Sequence, residues 1–353
     1  MAKKQEYMCI MVDGQQVCAN ADELVQRLND SIGFFSGLSG NSGDHCRALL
    51  ALYNHCASFT VQNKSFIAPK RRKVKGIMLH NPQDPTKSGA QMVAHFNETK
   101  NASISVNAVI DDETGTMYQC LPWDWKANHC AGDLNASHIS IELCEPSGAH
   151  YYKWEAKVDG VTRPLILAEK LSKDDEKLLD KGKLARDISV KACWVENGRI
   201  ACGKAFSINA KWISKSRPML FEDLEAARRS VQNTFNSTVD LCARLCWMYG
   251  LDPLAKAAGG GKGAGKSLPY TIICHKEGHV NFGKASNHGD VEKLWDSLNK
   301  ELKKADPTFP KDQLFTMDNL RKKVAARMEE FRAEEKARGQ SLDWSVGIMD
   351  LKK

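Results

Sequence analysis

No run of apolar residues in this chain approaches the roughly 20 that a membrane-spanning helix needs, so no transmembrane segment is expected among its 353 residues. The opening stretch, MAKKQEYMCIMVDGQQVCA, has only a short, broken apolar patch behind its lysines. A secretory signal requires a continuous apolar stretch there, so the expectation is a protein held in the cytoplasm until release. Twelve cysteines are scattered without one CxxC pair, which excludes zinc-ribbon and thioredoxin-like readings. Lys70-Arg71-Arg72-Lys73 lacks interleaved aromatics, so it reads as a solvated junction rather than a nucleic-acid patch. Gly260 to Ser267, GGKGAGKS, spells a phosphate-loop pattern. Such a loop must follow a strand and open a helix. This copy follows a long helical pattern and runs into Leu268-Pro269, which disfavours a helix there. Residues 257–269 are therefore a flexible connector, and no nucleotide partner is expected.

What remains is an ordinary globular composition, 42% hydrophobic and 26% charged, with a net charge of +7. That modest excess of cations suits a polyanionic partner without choosing one. The most informative stretch is Tyr270 to Trp295. It opens on a short apolar run, Thr271 to Cys274, that reads as a buried strand closing on His275, followed by a polar, Gly-punctuated loop. His279, His288 and Asp290 follow, so four metal-ligating side chains sit close in sequence. Val74 to His80 has the same shape, an apolar run ending on a histidine. Two strand-end histidines and a loop carboxylate can make a three-ligand zinc site with the fourth position open to water, the catalytic pattern.

Between these stretches the pattern gives a helix over 88–97, strands over 103–110 and 116–121, and a polar-aromatic loop containing Trp123, Trp125 and His129. The strand His138 to Cys144 alternates strictly, with Ile139, Ile141 and Leu143 on one face and Ser140, Glu142 and Cys144 on the other. Glu142 would then face water or a cleft. A helix starts near Ser172. CWVENGRIAC turns at Asn197-Gly198, a strong hairpin signal, and places Cys193 opposite Cys202. In a reducing compartment two free thiols are expected. Phe221 to Tyr249 is a long helix with an apolar stripe that includes Cys242 and Cys246, expected as buried thiols. Earlier, a hairpin turns at Asp13-Gly14 and helices are expected over 21–29 and 45–59. Asp306 to Pro310 breaks the chain before a charged helix, 311–339, with a stripe at Leu320, Val324, Met328 and Phe331. The resulting division is an N-terminal extension, 1–73; a catalytic domain, 74–304, with a hairpin insertion at about 187–215; and a helical segment, 305–353.

Taken together, Ile77 to Pro82, Met117-Tyr118-Gln119 with Pro122, Asn128 to Gly132, and Ile139 to Glu142 resemble the motifs IMLHNP, IYQxxP, WHAG and IxIE. These are motifs of the zinc-dependent N-acetylmuramoyl-L-alanine amidases, the superfamily of phage and prophage endolysins, bacterial autolysins and peptidoglycan recognition proteins. The segment His275 to Trp295 looks like its closing motif. The resemblance implies an α/β fold, a central mixed β-sheet flanked by helices. It implies His80, His275 and Asp290 as Zn2+ ligands, Glu142 as the catalytic carboxylate and His288 as support for the oxyanion. His129 would line the groove. Asn107 stands where many relatives carry a histidine and is taken as a groove residue. Asn128 replaces a groove tryptophan. The spacing from His275 to Asp290 is longer than in many members, which leaves His279 or His288 as competing ligands. The implied reaction is hydrolysis of the amide between N-acetylmuramic acid and L-alanine in bacterial peptidoglycan, with Trp123 and Trp125 stacking on sugar faces. The rival is a non-catalytic peptidoglycan-binding module, which keeps the groove but lacks a zinc ligand.

Overall fold

The computed structural model describes residues 7–12, 15–20, 72–96, 98, 103–121, 123–130, 133–255, 270–282 and 290–338. Strands β1 (Tyr7–Val12) and β2 (Gln15–Asn20) pair antiparallel with Val12 opposite Gln15, and the expected turn at Asp13-Gly14 lies outside the described residues. The helices expected over 21–29 and 45–59, and the phosphate-loop look-alike at 260–267, lie outside the described residues. No helix among the described residues is long and apolar enough to cross a membrane.

The chain divides into two compact units. One comprises residues 1–145, 230–295 and 310–353, and the other 146–229 and 296–309. In the first, β3 (Gly76–His80), β4 (Ala108–Ile110), β5 (Met117–Gln119), β6 (His138–Leu143) and β14 (Ile272–Cys274) form one sheet. Its order is β14-β3-β6-β4-β5. The first four strands run parallel and β5 returns antiparallel. Every residue of β3 is buried, as are all three of β14. That is the signature of parallel strands covered on both faces and the reason they read as unbroken apolar runs. Helix α1 (Gly89–Phe96) follows β3, its Met92, Val93 and Phe96 packed with Val106, Val109 and Cys144. Its first N–H, from Gly89, donates to Asp111 Oδ2 at 2.7 Å. This places a carboxylate at the helix N-terminus, where the dipole favours it. A Cβ on Gly89 would lie 2.7 Å from the Tyr118 ring, so only glycine fits.

In the second unit, β7 (Ala149–Tyr151) pairs with β13 (Met219–Phe221). A separate sheet joins β8 (Trp154–Val158), β9 (Val161–Leu167), β10 (Asp187–Glu196), β11 (Arg199–Cys202) and β12 (Phe206–Asn209). The expected hairpin at 187–215 is thus part of a larger sheet that begins at Trp154. Helix α2 (Lys173–Asp180) is capped by Ser172, whose hydroxyl accepts from the Asp175 N–H. Leu179 joins Trp154, Leu165, Ile188 and Val190 in this unit's core. Asn197 and Gly198 both have positive φ, 50° and 71°, as a type I′ hairpin turn requires. Cys193 faces Cys202 in the ladder, and the two are disulfide-bonded, not the free thiols expected for a reducing compartment.

Helix α3 (Leu224–Tyr249) carries Cys242 and Cys246 as buried thiols, as its periodicity indicates. In place of the expected loop after β14, α4 (His275–Phe282) begins directly at the strand's end. Gly278 permits this: a Cβ there would meet Met78 at 2.6 Å and Leu134 at 3.0 Å, so the helix lies hard against the sheet. Helices α5 (Asp290–Ala305) and α6 (Met317–Arg338) are the last two α-helices among the described residues. The stripe Leu320, Val324, Met328 and Phe331 is buried, with Phe331 edge-on to Trp247. Arg327 Nε lies 3.1 Å from Asp240 on α3.

Candidate metal centre

The parallel register builds the site. Cys274 pairs with Leu79, and His80 pairs with Glu142. His275, one residue past β14, therefore follows the same row, and three chemically capable side chains stand side by side at the carboxyl ends of adjacent strands. Open parallel sheets characteristically hold ligands at those ends. Asp290 arrives from the first residue of α5 with φ 23°, an uncommon left-handed value for a non-glycine.

The imidazoles of His80 and His275 stand edge-to-face, with ring centroids 5.0 Å apart. Asp290 Oδ2 sits between them, 3.0 Å from His80 Nδ1 and 2.8 Å from His275 Nδ1. All three residues are buried. Burial opposes charge on Asp290, but the bonds from His275 and His80 outweigh it and hold this carboxyl well below the usual carboxylate range. One ligand atom from each of the three residues lies within 4.8 Å of the others. Tetrahedral ligands about 2.1 Å from one zinc ion would stand about 3.4 Å apart. Two imidazoles and one carboxylate are also a donor set zinc accepts, so the residues fit the ion.

Beside this cluster, Glu142 Oε2 is sealed from solvent with no hydrogen-bond partner among the described residues. Burial, reinforced by Asp290, raises its pKa well above the ordinary range. His129 Nδ1 lies 2.8 Å from His80 Nε2. Burial, then the neighbouring His80, lowers the His129 pKa, keeping that ring neutral. These groups line a cavity of about 540 Å³ together with Asn81, Asp84, Met92, Phe96 and Asn128.

Several expected site residues lie elsewhere. Asn107 is fully buried and does not line the cavity. Its Oδ1 accepts from Arg72 Nη2 at 2.6 Å and from the Ser140 N–H at 3.1 Å, and its Nδ2 donates to the Trp125 carbonyl at 3.1 Å. Trp123 and Trp125 are 7% and 1% exposed, core residues that do not line the cavity. His288 and the side chain of His279 lie outside the described residues. Arg72, expected on a solvated junction, is buried, and burial lowers its pKa to about 10. It also donates to the backbone carbonyls of Asn135 and Trp123.

Two residues that the sequence did not single out position the site. Asn135 Oδ1 accepts the N–H groups of His129 and Cys130, both at 3.0 Å, and so fixes the backbone that presents His129. Asn81, next to His80, donates to the buried Glu145 Oε1 at 2.5 Å. Burial, then Glu142, raises the pKa of Glu145 well above the ordinary range.

Residues 70–169 match the family described as N-acetylmuramoyl-L-alanine amidase. The match includes His80, His129 and Glu142 and stops short of His275 and Asp290. No curated protein matches the chain. Among solved structures, it is similar to the Staphylococcus aureus hydrolase AmiA in complex with its ligand. The identity is 12%, over 77% of this chain and 78% of that one, with a TM-score of 0.38. It is also similar to PlyL, with 14% identity over 72% of this chain and 86% of that one, and a TM-score of 0.31.

Proposed function

We propose that this chain, which matches the N-acetylmuramoyl-L-alanine amidase family over residues 70–169, is a zinc-dependent hydrolase acting on the bond between N-acetylmuramic acid and L-alanine in bacterial peptidoglycan. The observation that carries the reading is the juxtaposition of His80, His275 and Asp290 with the unpartnered carboxylate oxygen of Glu142 in one buried cluster. A binding module of the same fold would not need that combination.

His80, His275 and Asp290 would hold the ion. The chemistry zinc supplies when bound is Lewis acidity toward the amide carbonyl and toward water. To bind through Nδ1, each imidazole carries its proton on Nε2. The 2.8 Å contact then has His80 Nε2–H donating to His129 Nδ1, which fixes the tautomer. Glu142 takes the proton of the attacking water and passes it to the leaving amine. Its raised pKa suits the second step, since such a carboxyl holds the proton that it delivers to the amine. His288 is the candidate for stabilising the developing oxyanion. Met92 and Phe96 give the cavity an apolar part of its wall. The partner on this reading is bacterial peptidoglycan, met either as an endolysin or as a cytoplasmic recycling amidase.

The test is mass spectrometry of digested peptidoglycan. Free stem peptides beginning with L-alanine are expected, along with stoichiometric zinc in the purified protein. His80→Ala should abolish release while the circular dichroism spectrum is kept. Undiminished release by that variant would overturn the mechanism.

A further inference from the structure

Helix α6 lies more than 40 residues beyond His275 in sequence, yet one of its side chains is spent on the segment that carries this histidine. Arg321 is only 2% exposed. Its Nε donates to the Ile272 carbonyl at 2.9 Å, and its Nη2 to Glu277 Oε2 at 2.5 Å. Its guanidinium lies 3.9 Å from the centroid of the Tyr270 ring. The remaining contact is Asp318, one turn earlier on its own helix. The Glu277 oxygen held by Arg321 also accepts the Cys274 N–H at 3.1 Å. This is half of a capping box at the start of α4, a glutamate three positions on reaching back to close the helix entry.

We infer that Arg321 is a positioning residue for the metal centre, acting on His275 through the Glu277 cap and the Ile272 carbonyl. The inference rests on the zinc reading above. His275 is the first residue of α4 and follows a strand of only three residues, so little in its own segment sets the direction of its ring. Ile272, Cys274 and Glu277 bracket it, and all three are tied directly or through one atom to the same guanidinium. The planar fork of arginine can serve two acceptors in different directions at once, which the lysine ammonium does only at a cost in geometry. A buried cation is also expensive unless fully partnered, and here its partners lie almost wholly on residues 270–277. Groups that orient a metal ligand without touching the metal are typically worth about 10- to 100-fold in metal affinity.

The experiment uses the full chain stripped of metal. Zn2+ is titrated in competition with a chromophoric chelator, and Co2+ uptake is followed by its visible spectrum, for wild type, R321M, R321K and E277Q. Circular dichroism and thermal unfolding are recorded on each. R321M is expected to fold and to bind Zn2+ about 10- to 100-fold more weakly, with an altered Co2+ spectrum. R321K should recover part of the affinity. Folded R321M with wild-type affinity and spectrum would overturn the inference. If R321M does not fold, E277Q decides: it keeps the side-chain shape but loses the counter-charge. An affinity loss of about tenfold supports the role, and wild-type affinity refutes it. A wild-type protein that takes up no Zn2+ would sink the zinc reading and this inference together. Zinc uptake indifferent to all three variants would sink this inference alone.

Discussion

Asn107 offers the sharpest separation between a groove residue and a buried hub. Replacing it with leucine keeps the branched shape at a larger volume and removes four bonds: to Arg72 Nη2, to the Ser140 N–H and hydroxyl, and to the Trp125 carbonyl. Each buried polar group that loses a partner costs about 1–3 kcal/mol. Arg72 also loses its shortest contact while keeping its charge, so the total should be about 3–5 kcal/mol. That is a large part of the 5–15 kcal/mol that holds a typical protein folded. Asn107→Asp keeps the acceptor facing Arg72 and Ser140 and loses only the donor to Trp125, for about 1–2 kcal/mol. Guanidinium unfolding followed by tryptophan fluorescence would show midpoints in the order wild type, Asp, Leu. Peptidoglycan hydrolysis by the Asp variant should keep a wild-type KM, because the side chain does not reach the cavity. A Leu variant within about 1 kcal/mol of wild type, or an Asp variant of unchanged stability whose KM rises about tenfold, would refute the hub and restore the groove reading.

Two further outcomes are expected. Glu142→Gln should lower kcat by about 10²- to 10⁴-fold, the usual worth of a general acid–base group, while zinc content measured by atomic absorption stays at the wild-type level; activity within a factor of two would remove Glu142 from the mechanism. His138 is pushed down to about 3 by burial. The unfolded chain, with its histidine near 6.5, therefore binds the proton first as pH falls. Stability from this group is complete above pH 6.5 and is lost as pH drops toward 3, by about 1.4 kcal/mol per unit across that window. Wild type should thus lose stability between pH 6 and 4 faster than His138→Gln, and equal slopes would contradict the assignment.

The sequence carried the site's ends better than its supports. His80 and His275 were legible because each terminates a run buried on both faces, and Glu142 because its strand alternates without a break. Their adjacency was not legible, since the register that sets His80 beside Glu142 is a pairing across 62 positions and leaves no local mark. The sequence of helix α4 looks like a loop for a physical reason. HKEGHVNF has a glycine at its centre and no apolar stripe, and its helicity comes from the Glu277 cap and from Gly278 docking on Met78. Arg72 and Asn107 misled for different reasons: composition places a basic run on the surface, and the resemblance places Asn107 in the groove, where many relatives carry a histidine. Only tertiary packing turns the pair into a core contact. The larger sheet after Trp154 did have a signal, Asp159-Gly160, whose positive φ values of 48° and 80° turn β8 into β9.

The family match ends at residue 169, so two of the three proposed ligands, His275 and Asp290, are delivered from a segment that the chain reaches only after the excursion of residues 146–229. Such an excursion is thermodynamically cheap, because each doubling of a closed loop adds only about 0.6 kcal/mol. Length therefore does not threaten the site; imprecision does. A metal centre needs its donors held to within a fraction of an ångström, and a three-residue strand alone does not supply that. Here the deficit is met at three points: parallel pairing of β14 on β3, the glycine contact that lets α4 rest on Met78, and the Arg321 clamp from α6. Two of these three lie in stretches that looked like loop and tail. A strand, a helix entry and a terminal helix that individually say little become, by converging on one histidine, the part of the fold on which the chemistry depends.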